Sequence, residues 1–472
     1  MRLTRSAAAI AAVSMLCLAG PSWPAAAQPV FPPPVDPAQR PSTAEAESTP
    51  YQASNQVGLP VAADCIGPGP DGDLDLAAIP PGQERMRIRA AQEFATGRGQ
   101  TIAVIDSGVN PHPRLAGRLD DGGDYILGES GTTDCEGHGT VVAGIIAAAP
   151  GATGFVGVAP DVRILAIRQS SRFFEVELPD PETGRTVSKP AGDTASLARA
   201  VVRAVDTPGV SVVNISEAAC FPASRADDPP DRALQAAVRY AADSDVVVVA
   251  AAANIDNAEC RQNPEGEPGT IVSPAWFDQD VLAVGAVDVD TGEPADFTIR
   301  GRWVDVAAPG TRTVSLDPVG GGLTATLADA DGERFPIRGT SFATPYVAGV
   351  AALVRERYPE LTARQVIERI QRTAQHTAGP GGRNRTLGYG VLDPVAALTD
   401  VPLGQGPEQG SVPASEPVEP ARLHDFRLPV PEDPVRRTVA FVGTGAGIAA
   451  LAVTVLTVYT VRRYRRSKLS GG

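Results

Sequence analysis

Three residues in this chain of 472 have the types and settings needed for acyl transfer through a serine. Ser341 lies in Gly339-Thr340-Ser341-Phe342-Ala343-Thr344-Pro345, ahead of the small apolar run Tyr346–Val354. Thr340 is a credible N-cap and Pro345 is tolerated in a first helical turn, so the spacing predicts Ser341 at a helix N-terminus. There the hydroxyl is exposed, and the outward N–H groups and helix dipole favour an anion created by its attack. Taken alone, the stretch reads equally well as a capped core helix. His138 stands in Cys135-Glu136-Gly137-His138-Gly139-Thr140, one of four histidines with His112, His376 and His424. Its flanking glycines allow a second group to approach the ring. Asp106 ends the apolar run Thr101–Ile105. A serine nucleophile needs a base poised near neutrality and an acid that holds the base in one tautomer. His138 and Asp106 supply that pair.

Positioning three distant residues requires a scaffold, and the apolar pattern describes one. Short apolar runs at 101–105, 163–167, 210–215, 246–250 and 281–284 alternate with helical patterns at 141–149, 194–205 and 231–243. Such alternation predicts an α/β fold with a mostly parallel sheet covered on both faces. Functional groups then gather at the carboxyl ends of the strands, where Asp106 and Asn254 fall. Polar stretches at 168–193 and 311–337 read as surface loops, either shaping a cleft or inserted without a role.

The flanks speak of export. Arg2 and Arg5, an apolar run from Ala7 and Ala25-Ala26-Ala27 predict a signal peptide over 1–27. A proline-rich extension follows over 28–90, then the main domain over 91–400 and a proline-rich linker over 401–437. Residues 438–461 are nearly all apolar, about 34 Å as a helix and enough to span a bilayer. The basic tail 462–472 places the C-terminus in the cytoplasm and the large domain outside. Gly443 and Gly447 have the spacing of a helix-packing face, although glycine is common in membrane helices. A net charge of −14 argues against nucleic acid as a partner.

With Cys17 in the leader, four cysteines remain: Cys65, Cys135, Cys220 and Cys260. In an exported chain these suggest two disulfides with three connectivities open. Pairing by chain region joins Cys65 to Cys135 and Cys220 to Cys260. A zinc site on Cys135 and His138 lacks a second ligand pair, so no metal and no cofactor is expected. Asp134 reads as a loop or capping residue.

The chain order Asp106…His138…Ser341, with Ile105-Asp106-Ser107-Gly108, Gly137-His138-Gly139-Thr140 and Gly339-Thr340-Ser341-Phe342-Ala343, resembles the subtilisin family of serine proteases over roughly 300 residues. The resemblance implies a three-layer α/β/α domain and peptide-bond hydrolysis through an acyl-enzyme. It also implies that Asn254 is an oxyanion-hole donor, that Ser216, Glu217 and Ala218 lie on the strand that binds substrate, and that His112 is structural. Two departures stand out: the family usually has glycine where Ala253 stands, and often where Ala218 stands. Family members often bind calcium, but no acidic loop here marks a site. The order of leader, arm, protease domain, linker, single span and basic tail resembles the mycosins, membrane-anchored proteases of actinobacterial type VII secretion systems. That resemblance implies limited cleavage of a protein substrate and a stabilising role among secretion-membrane components. A mainly structural subunit and a general degradative surface protease are the alternatives.

Overall fold

The computed structural model describes residues 30–49, 57–60, 65–67, 75–179, 185–255, 259–265, 268–377, 380–400 and 450–463. The chain divides into two units, Met1–Asp400 and Val401–Gly472.

A sheet of 7 strands carries the larger unit: β1 (Thr101–Asp106), β2 (Leu119–Asp124), β3 (Arg163–Arg168), β4 (Val210–Ile215), β5 (Val247–Ala251), β6 (Leu282–Val287) and β7 (Val306–Pro309). Their order across the sheet is β7-β6-β5-β4-β1-β3-β2, and every neighbouring pair is parallel. Helices α1 (His138–Ala147), α2 (Thr194–Asp206), α3 (Arg232–Asp243), α4 (Thr340–Arg357) and α5 (Ala363–Thr373) surround it.

The two layers follow from side chains alternating across a strand. Ile102 and Val104 join one apolar cluster with Val141 and Ile145 of α1 and Val347 and Val350 of α4. Their neighbours Ala103 and Ile105 join the other, with Val201 of α2 and Leu234 of α3. Each buried Val, Ile or Leu contributes roughly 1.5–3 kcal/mol, so the sheet is fixed from both faces. α2 and α3 are amphipathic surface helices. α4 is buried from Phe342 to Arg355, which explains its small and apolar composition.

The extension is built onto the domain. Ala46, on the short helix Thr43–Glu47, is buried in the α2/α3 cluster. Thr43 donates to Asp206 at 2.8 Å, and the Arg302 guanidinium lies 3.5 Å from the Phe31 ring centre. Met86, Ile88 and Ala91 belong to the α1/α4 cluster, so the core begins before residue 91.

The polar stretches differ from the loops expected of them. Ser171–Pro179 and Thr186–Ala191 form an antiparallel hairpin, with Val57–Pro60 of the extension as its third strand. Phe173 and Val176 are buried beneath it; strand patterning overrode the polar composition. Over 311–337, two small hairpins form, Ser315–Leu316 with Leu323–Thr324 and Thr326–Ala328 with Arg334–Pro336.

Residues 450–463 are helical and exposed. Among the described residues no helix is long and apolar enough to cross a membrane. The leader, Gly443, Gly447 and residues 438–449 of the expected span lie outside the described residues.

Candidate active site

β1 delivers Asp106 as its last residue, fully buried at the carboxyl end of the sheet. His138 opens α1, and its Nδ1 lies 2.6 Å from Asp106 Oδ1. Opposite a carboxylate, that nitrogen carries the proton and Nε2 is left free for the cleft. Gly139 permits the approach, because a Cβ there would lie 2.0 Å from the Gly108 carbonyl oxygen. α1 begins at His138, earlier than its apolar pattern suggested, because Asp134 caps it. Asp134 Oδ2 accepts from Thr140 N at 2.8 Å and Thr140 Oγ1 at 2.6 Å, while Oδ1 accepts from Gly137 N at 2.8 Å. Oδ1 also accepts from Ser107 Oγ at 2.9 Å, tying the cap to the residue beside Asp106. Burial pushes the Asp134 carboxyl up to about 7, against the Thr140 bonds that favour its ionised form.

Ser341 is the second residue of α4, and here one local expectation fails. The N-cap is Gly339, at φ 150°, not Thr340. Thr340 N and Oγ1 instead donate to Asn254 Oδ1 at 2.9 and 3.1 Å. The amide oxygen from beyond β5 does the work of a side-chain cap, and Asn254 Nδ2 has no acceptor among the described residues. The Ser341 N–H is an N-terminal orphan of α4 and has no protein acceptor among the described residues. Ala253, just before the asparagine, is held at φ 66°. That left-handed conformation suits glycine and strains alanine.

Pro345 lies within the helix and has no N–H for the Ser341 carbonyl four residues earlier. Ser216 Oγ donates to that carbonyl at 2.8 Å and accepts from Asn214 Nδ2 at 3.0 Å. The side chain expected to face substrate is therefore turned toward the nucleophile's backbone.

These residues meet in a cleft of about 420 Å³ lined by His138, Ser216, Glu217, Ala218, Asn254 and Ser341. No hydrogen bond joins Ser341 Oγ to His138 in this structure, and such bonds commonly tighten only around substrate. The Phe342 ring packs 5.0 Å from the imidazole centre. Glu217 Oε1 lies 3.9 Å from His138 Nδ1. Burial alone would lower the imidazole pKa, but the charge and hydrogen bond of Asp106, helped by Glu217, outweigh it and hold His138 at about 9. Burial also raises Glu217, with His138 opposing.

Two disulfides fasten the walls. Cys65–Cys135 ties the extension beside the α1 entrance, and Cys220–Cys260 joins the segments beyond Ala218 and Asn254. With its sulfur so engaged, Cys135 is no zinc ligand. Asp106, His138 and Glu217 bring ligand atoms within 4.8 Å of one another, a spacing a small cation can bridge. His138 Nδ1 is already committed to Asp106. His112 is buried, accepts from Arg114 N and caps the turn Pro113–Leu115, a structural position.

Residues 97–390 match the Subtilase family, Peptidase S8. Mycosin-4 of Mycobacterium tuberculosis is 44% identical over 385 residues, covering 79% of this chain and 80% of its own. The chain belongs to the subtilases and, within them, to the mycosins. The crystal structure of MycP1 from Mycobacterium smegmatis is 39% identical, with a TM-score of 0.70 over 82% of this chain and 99% of that one. A chain of an intact ESX-5 inner membrane complex is 36% identical, with a TM-score of 0.68 over 91% of this chain and all (100%) of that one. This mycosin is a subtilisin-like serine endopeptidase.

The structure brings Asp106 beside His138 and places Ser341 in the same cleft, and sequence reasoning missed three contacts around them. One signal was present: a proline four residues after Ser341 announces a carbonyl that must find its donor elsewhere. Nothing comparable marks Asp134 as the partner of Ser107. Nor does the sequence bring Glu217 beside His138, since that contact spans 79 residues of chain.

Proposed function

We propose that this mycosin makes limited cleavages in a protein handled by a type VII secretion complex, and that it also stabilises that complex. Ser341 attacks the scissile carbonyl as His138 Nε2 takes its proton. Asp106 holds the imidazole by Nδ1 and stabilises the imidazolium. The tetrahedral oxyanion receives the Ser341 N–H and Asn254 Nδ2, two donors oriented before substrate arrives. Collapse expels the amine, which takes from Nε2 the proton that Ser341 gave up. Water then repeats the sequence on the acyl-enzyme. Residues 216–218, extending beyond β4, pair with the substrate backbone.

The observation that carries this reading is the 2.6 Å Asp106–His138 pair in one cleft with Ser341, at the entrance of a helix where the Ser341 N–H has no acceptor among the described residues. Support for the secretion role comes from relatives solved within the ESX-5 inner membrane complex, one of which matches 91% of this chain. The apolar stretch 438–461 with its basic tail is the anchor in this reading, holding the protease domain outside the membrane. Strong attachment of the arm to the domain argues against a removable inhibitor.

Fluorophosphonate labelling of the full chain tests the chemistry. Wild type should label, and Ser341→Ala and His138→Ala should not. Serine loss should lower cleavage by roughly 10⁴-fold or more while the secretion complex still assembles. Folded wild type that fails to label would refute the assigned nucleophile. Removal of residues 436–472 should release an active soluble domain and disturb assembly.

A further inference from the structure

The cleft contains a charge that the hydrolytic mechanism does not use. Glu217 makes no hydrogen bond among the described residues, and its nearest charged partner is His138 at 3.9 Å. Its side chain is 37% exposed, open to an incoming peptide. Of the other charged groups in the cleft, Arg338 pairs with Asp296 at 2.7 Å, Asp329 accepts from Asp331 N and Glu333 N within its own turn, and Arg172 lies 3.9 Å from Glu136 while also favouring the Glu217 carboxylate from a distance. A partly desolvated carboxylate whose nearest cation stands 3.9 Å off without a hydrogen bond is incompletely compensated, and a cation that enters beside it relieves part of that cost. Position decides which part of the substrate can supply that cation. His138 hands its proton to the leaving amine from Nε2, whereas Glu217 faces the Nδ1 edge and so lies away from the leaving group.

We propose that Glu217 is a specificity-determining residue whose carboxylate receives a lysine or arginine side chain from the acyl side of the scissile bond. This deepens the protease reading and rests on it. The full chain would be assayed on internally quenched peptides carrying Lys, Gln or Glu at each of three positions before the bond. At one position wild type should favour Lys over Glu by roughly 10-fold in kcat/KM. That ratio should flatten in Glu217→Gln and invert in Glu217→Lys. An unchanged ratio at every position in Glu217→Lys would overturn the proposal. Fluorophosphonate labelling of the same samples reports on Ser341 separately, so lost specificity and a dead nucleophile read differently.

A second inference stands on different atoms. Pro345 deprives the Ser341 carbonyl of its helical donor, and Ser216 Oγ replaces that donor at 2.8 Å. Asn214 Nδ2, itself buried, holds the hydroxyl in place at 3.0 Å. Because the Ser341 residue bears both the attacking hydroxyl and an oxyanion N–H, fixing its carbonyl fixes both. We infer that Ser216 is a positioning residue for the nucleophile through this bond. Ser216→Ala should lower kcat roughly 10-fold and move KM by less than about 2-fold. Pro345→Ala restores an N–H to the same carbonyl, so the double variant should recover most of the lost kcat. A double variant no faster than Ser216→Ala, or a Ser216→Ala with unchanged kcat, would refute the role.

Discussion

Two helices enter the cleft by their N-termini, and they satisfy those ends in opposite ways. α1 is capped largely from the residues just before it. Asp134, four residues before His138, takes Gly137 N and Thr140 N, and Ser107 Oγ from just beyond β1 takes Gly139 N at 3.0 Å. α4 is capped from another strand, by Asn254 on Thr340 N, and its Ser341 N–H is kept unspent. The first arrangement positions a base; the second stores donors for a charge that exists only during reaction. A spent N–H stabilises the resting fold, whereas an unspent one stabilises a transition state.

That contrast can be broken most severely at α4. Asn254→Ala removes both cap and donor, so kcat should fall roughly 10²–10³-fold with KM little changed. Asn254→Asp keeps the acceptor for Thr340 and loses the donor; its melting temperature should stay near wild type while its kcat stays low. At α1 the loss should appear in stability. Asp134→Ala frees several buried donors and should cost about 3 kcal/mol in urea unfolding. If it instead abolished labelling in a fully folded protein, the cap would have a direct part in chemistry.

The next effect concerns charge. A base must be neutral to accept a proton, and two carboxylates hold His138 charged up to about 9. Activity should therefore rise with pH through a midpoint above the ordinary histidine value of about 6.5. Glu217→Gln removes one of the groups favouring imidazolium. On peptides without Lys before the bond it should shift the midpoint down by roughly one unit and raise kcat/KM near neutrality, as a pH–rate profile would show. A midpoint unmoved by the substitution would leave Asp106 as the only influence. The smallest effect is at Ala253, where φ 66° strains a Cβ. Ala253→Gly should raise stability by about 1 kcal/mol, measurable by thermal unfolding.

Much of the architecture was legible because periodicity is local. Short β-branched runs such as Thr101–Ile105 and Val210–Ile215, alternating with helical patterns, read as buried strands, and the motifs around Asp106, His138 and Ser341 name a chemistry by residue type. The polar hairpin at Ser171–Ala191 was missed because its alternation is weak and its third strand comes from residues 57–60. Thr340 misled because capping propensity is a local average, and it gave way to a side chain 86 residues away in the chain. The strained backbone at Ala253 was suggested by the missing glycine, and the structure supplied its sign of φ.

By itself the sequence determined which chemistry the chain carries, since serine, histidine and aspartate in their motifs leave little else for these residues to do. Tertiary structure alone decided how the site is tuned. Glu217 beside His138, Ser216 under the Ser341 carbonyl and Asn254 across Thr340 are contacts between segments far apart in the chain. Local preference has no term for them; they exist because the parallel sheet brings the carboxyl ends of its strands to one edge.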